Sequence, residues 1–78
     1  MDRRELWRRL NARKRDVRFE EIEKLLRLAG WELNNVRGSH HVFRTGDGRH
    51  LSVPRHGNLV KTIYVRIVLQ ETKEPGDE

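Results

Sequence analysis

Cysteine is absent from the 78 residues. That excludes disulfide staples and thiolate zinc cages, and it points to a reducing, cytoplasmic setting. No apolar run approaches the roughly 18 residues that span a bilayer, and the basic N-terminus has no continuous apolar stretch of the signal-peptide kind. Neither membrane insertion nor secretion is therefore expected. No internal repeat is present. Length is also scarce: a 9.4 kDa chain supports one domain with a thin core, burying only about 60% of the surface its unfolded form exposes.

What the chain has in excess is positive charge. Lys and Arg number 17 against 12 Asp and Glu, a net of +5 with neutral histidines, which favours a polyanionic partner. The excess is unevenly placed. Residues 1–18 carry eight bases and three acids, residues 19–70 eight bases and five acids, and the last eight residues one base and four acids. All four histidines (His40, His41, His50, His56) fall in the middle block, interleaved with Arg37, Arg44, Arg49 and Arg55. The expected organisation is a basic N-terminal extension over 1–18, a folded domain over 19–72 and a disordered acidic tail over 73–78.

Asp2 can cap a short helix running to about Ala12, with Leu6 and Leu10 at i, i+4 beside Trp7. So short a helix must dock or fray, and its charge suggests a solvated basic arm whose removal would weaken affinity for nucleic acid. From Phe19, apolar residues at Phe19, Ile22, Leu25, Leu26 and Ala29 recur at helical spacing, and Gly30 is a natural stop. Alternating segments follow: Trp31 to Val36, His40 to Thr45 and His50 to Val53. Gly38-Ser39 and Gly46-Asp47-Gly48 mark the turns, and Pro54 ends the third strand. The segment from about Thr62 to Thr72 is β-branched enough for a strand. A sheet of three strands needs a second covering helix, however, and Val60, Ile63, Ile67 and Val68, with Tyr64 alongside, form a helical stripe.

Read in order, Gly30-Trp31, Gly38-Ser39-His40-His41, Asp47-Gly48-Arg49 and Val53-Pro54-Arg55-His56 resemble the HicA toxins of bacterial toxin-antitoxin systems. The resemblance spans about Phe19 to Gln70, and the basic segment before it marks an N-terminally extended branch. It implies an α+β fold like a double-stranded-RNA-binding domain, α-β-β-β-α, with a three-stranded antiparallel sheet covered on one face by two helices. It also implies a messenger-RNA interferase of a stress-response system: an endoribonuclease that works without metal or other cofactor and is neutralised by a HicB-like antitoxin protein. The family's histidine after Gly-Ser falls on His40.

RNA chemistry makes a histidine there sensible. RNA supplies its own nucleophile, the 2′-OH, so the protein must move protons and stabilise a phosphorane. An imidazole, with an unperturbed pKa near 6.5, populates both base and acid forms at neutral pH. His40 is the first candidate for that role and His41 the second. Arg37 and Arg44 are candidate phosphate ligands, and Ser39, Arg49, Arg55, His56 and Lys61 complete the candidate RNA contacts. Strand alternation puts His40, Val42 and Arg44 on one face and His41, Phe43 and Thr45 on the other. If the Val42 face is the covered one, His40 sits half-desolvated at its rim and His41 faces solvent.

Other chemistries have weaker support. Ser39 has no flanking carboxylate to orient a histidine toward it. A zinc site built from His40, His50 and His56 lacks diagnostic spacing, so no metal is expected. A non-catalytic RNA-binding module and a protein-interaction element remain as alternatives to the nuclease.

Overall fold

The computed structural model describes residues 1–74. Its elements are α1 (Arg3–Arg13), β1 (Val17–Arg18), α2 (Phe19–Leu28), β2 (Glu32–Arg37), β3 (His40–Arg44), β4 (His50–Pro54), β5 (Leu59–Val60) and α3 (Thr62–Glu71). β2, β3 and β4 form an antiparallel sheet in that order, with α2 and α3 on one face: the expected α-β-β-β-α arrangement preceded by a helix. The pair of short strands β1 and β5 forms a second antiparallel sheet that the sequence did not signal, with Val17 opposite Val60. Two-residue strands carry too little periodicity to be read.

Each main element follows from local chemistry. In α2, Phe19, Ile22, Leu25 and Leu26 are buried along one stripe. The Glu21 carboxylate accepts a hydrogen bond from the Arg18 backbone N–H at 3.0 Å, closing the first turn. Gly30, at φ 90°, lets the chain reverse so that Trp31 N–H reaches the Leu26 carbonyl at 2.8 Å and its indole enters the core.

In β3 the burial phase is the opposite of the one that would have placed His40 at the rim. Phe43 is fully buried, Thr45 buried and His41 half-buried, while His40 and Arg44 are exposed. Phe43 has the volume and Val42 does not: the larger ring faces α2, and Val42 lies on the open side opposite Asn35 and Ser52.

α3 is a helix over the expected span, but the face it buries is Val65, Val68 and Leu69, leaving Ile63 and Ile67 exposed. With β-branched residues all round the helix, hydrophobicity did not select a face; packing against α1, α2 and β4 did. Trp7 Nε1 donates to the Leu69 carbonyl at 2.8 Å, and Leu6, Trp7 and Leu10 join the same core.

The N-terminal segment is therefore not a solvated arm. Three buried large side chains at about 1.5–3 kcal/mol each are comparable with the roughly 5–15 kcal/mol that holds a domain together. Deleting the segment should therefore cost the domain much of its stability. Several of its charges are spent internally: Arg3 lies 3.1 Å from Glu74 and Arg13 lies 2.7 Å from Glu21. Burial raises the Glu21 pKa, but the Arg18 N–H, the Arg13 hydrogen bond and the Arg13 and Arg9 charges outweigh it and hold it below the ordinary value of 4.5. Of the expected disordered tail, residues 75–78 lie outside the described residues, whereas Glu74 is tied to Arg3 and Arg4.

Candidate active site

Gly38 and Ser39 form the two-residue turn between β2 and β3, and Gly38 has φ 59°, the positive value a tight primed hairpin turn needs at its first central position. The turn is pinned to the chain leaving β4 by the Arg55 N–H, which donates to the Ser39 carbonyl at 2.8 Å. Ser39 thus acts through its backbone, holding two loops at one end of the sheet.

The two histidines that follow diverge. His40 is exposed on the open sheet face, with Arg37 and Pro54 as its cross-strand neighbours. His41 is turned toward α2, where its ring centroid lies 4.4 Å from that of Phe19 at a 50° tilt. Its Nδ1 lies 3.2 Å from the Ser39 carbonyl oxygen. A carbonyl only accepts, so Nδ1 carries the proton and the lone pair of the neutral ring is on Nε2. His41 is the histidine with a defined tautomer, a packed ring and partial exposure together.

Phe19 links it to a cation. The Arg55 guanidinium carbon lies 5.1 Å from the Phe19 ring centroid, and its Nε and Nη2 donate to the Gly57 carbonyl (2.7 Å) and to Asn58 Oδ1 (3.0 Å). Phe19 is itself held by its N–H on the Asn58 carbonyl at 2.8 Å. One buried ring therefore spaces His41 and Arg55 at the lip of the sheet. The sequence offers Phe19 as a core or core-edge residue ahead of a base-stacking one, and nothing in its spacing shows that it touches His41.

Arg44, Arg49 and His50 belong to the other end. Arg44 pairs with His50, four strand steps from the pairing of His40 with Pro54, a separation of about 13 Å at the strand rise. Arg49 is engaged there as a brace. Its guanidinium lies 5.2 Å from the centroid of the Trp31 ring and 3.5 Å from both Asp47 and Glu71. Asp47 accepts from the Thr45 hydroxyl, and chiefly through that bond, with Arg49 adding to it, its pKa lies below the ordinary value of 3.8. His56 and Lys61 lie beyond Arg55, on a pocket beside β5. Among the described residues, no three His, Asp or Glu side chains come together as a metal-holding group.

Comparison with protein-family models matches residues 19–73 to the HicA toxin of bacterial toxin-antitoxin systems. The chain belongs to the HicA toxin family. No curated protein and no solved structure is matched. Membership makes this HicA toxin one component of a toxin-antitoxin pair, with an antitoxin as its partner. The match begins at Phe19, the residue that contacts His41, and leaves out α1, which completes the core. Among the described residues, no helix is long and apolar enough to cross a membrane.

Proposed function

We propose that this HicA toxin is an endoribonuclease that cleaves messenger RNA by attack of the 2′-OH on the adjacent phosphorus, with His41 as the catalytic histidine. The observation that carries the choice of His41 is its Nδ1 contact with the Ser39 carbonyl, which leaves Nε2 as the base. Nε2 takes the 2′-OH proton, the O2′–P bond forms, and the P–O5′ bond breaks. The products are a 2′,3′-cyclic phosphate and a 5′-hydroxyl, the leaving oxygen taking its proton from solvent. Arg55, fixed beside Phe19, supplies positive charge to the phosphorane, and Arg37 and His40 present donors on the open face next to the same turn.

Family membership supports the toxin role. The resemblance to metal-independent members supports activity without an added ion. A HicB-like antitoxin then inhibits by covering the Ser39 turn and the ring of His41.

The test is cleavage of a single-stranded RNA in EDTA by the purified protein, its His41→Ala variant and its His40→Ala variant. Loss in the first with retention in the second is expected. The reverse pattern would return the role to His40. A 2′-deoxy residue at the scissile position should stop the reaction; cleavage there would show that another nucleophile attacks.

A further inference from the structure

Beside β5 and the start of α3 lies an open pocket of about 380 Å³ that none of the chemistry above uses. Arg15, Asp16, His56, Lys61 and Thr62 line it. The side chains of Arg15, His56 and Lys61 make no hydrogen bond or ion pair among the described residues. In that they differ from Arg3, Arg13, Arg27 and Arg49, each of which is ion-paired.

The wall that carries Arg15 is held in place. Lys14 and Asp16, on either side of it, both adopt left-handed backbone, at φ 57° and 53°. Such a conformation is disfavoured for a residue other than glycine. Thr62 Oγ1 donates to the Lys14 carbonyl at 3.1 Å, Arg13 Nε donates to the Arg15 carbonyl at 3.2 Å, and the Val17–Val60 pairing closes the base. The α1–β1 loop is thereby tied to the segment that carries Lys61. That segment also leads back to the reacting end, because Arg55 sits against Phe19 while the next residue, His56, lines the pocket.

We infer that this pocket is a phosphate subsite for the RNA strand, away from the scissile bond, in which Arg15 and Lys61 together take one phosphodiester. The choice of RNA as ligand rests on the nuclease reading above. His56 offers a further donor, and the Asp16 carboxylate opposes the bound charge. The N-terminal segment thus contributes one specific cation to RNA binding through its loop, while its helix serves the core.

The test uses the full chain and a 2′-O-methyl RNA oligonucleotide, which cannot react at the 2′ position, so binding is measured whether or not the nuclease reading holds. Arg15→Ala with Lys61→Ala should weaken binding on the order of tenfold. The slope of log affinity against log salt should flatten by roughly 0.7. The charge-matched control, Lys24→Ala with Arg27→Ala on the outer face of α2, should change affinity less.

Asp16→Asn, which tolerates the same left-handed backbone, should tighten binding and keeps the proposal decidable if the double variant fails to fold. Parental affinity and slope in the double variant, an equal loss in the control, or weaker binding by Asp16→Asn would each overturn it. Loss of antitoxin binding with RNA binding intact would assign the pocket to the protein partner. An inactive wild-type protein whose oligonucleotide binding still follows this pattern would sink the nuclease reading alone.

Discussion

The two ends of the β3–β4 hairpin are built from similar residues and do opposite things. At one end, Thr45, Asp47 and Arg49 satisfy one another, and Arg49 reaches on to Trp31 and Glu71, so the charges of Asp47 and Arg49 have their partners inside the molecule. At the other, the Ser39 carbonyl and the Phe19 ring hold His41 through one nitrogen and one face, and among the described residues the second nitrogen has no partner. Arg55 is positioned there by a carbonyl, an amide and a ring, none of which neutralises it. A cation paired with carboxylates braces a fold. A cation held by neutral groups keeps its charge for a ligand.

The sharpest way to break this comparison is His41→Ala. Removing a general acid or base lowers turnover by roughly 10²–10⁴-fold, and the melting temperature should move little because His41 is half-exposed. Comparable RNA cleavage by variant and parent would erase the distinction between the ends. Arg55→Ala comes next. Loss of one charged contact should lower kcat/KM on the order of tenfold, and Arg55→Lys, which cannot make both the Gly57 and Asn58 bonds in the same geometry, should recover only part of it.

At the braced end the effect moves from activity to stability. Arg49→Ala should cost about 1–2 kcal/mol through the lost contact with Trp31 and the partners left behind, read as a lower urea midpoint with turnover unchanged. A fall in turnover without a fall in midpoint would place Arg49 in the RNA site instead.

The smallest effect is on pH. Glu21, with its folded pKa below the ordinary 4.5, contributes stability that is complete above the unfolded value and is lost as pH falls through the folded one. Asp47 behaves in the same sense below 3.8. Denaturation midpoints measured from neutral pH downward should decline in that acid range, and Glu21→Gln should flatten part of the decline. An unaltered profile in that variant would remove the Arg13–Glu21 clasp from the account.

Much of this was legible in advance. The 3.6-residue spacing from Phe19 located α2, Gly38-Ser39 and Asp47-Gly48 located the hairpin turns, and the need to cover a sheet made α3 a helix despite its β-branched residues. The phase of β3 was not legible, because both parities of His40 to Thr45 mix apolar and polar side chains and alternation is silent about which face is covered. The docking of α1 was hidden for a related reason: three apolar residues among arginines read as an arm until a surface made of Leu69 and its neighbours is there to receive Trp7. The dual role of Phe19 was hidden because cross-element contact leaves no mark in local spacing.

By itself, then, the amino-acid sequence determined the order of the elements, the positions of the turns and the density of histidine and arginine in the middle block, because these follow from propensity, period and composition along the chain. Only the tertiary structure decided which histidine is held against α2, which arginines keep their charge free and that the first helix belongs to the core. Those choices depend on which groups meet across the fold, and a pairing energy exists only once both partners are in place.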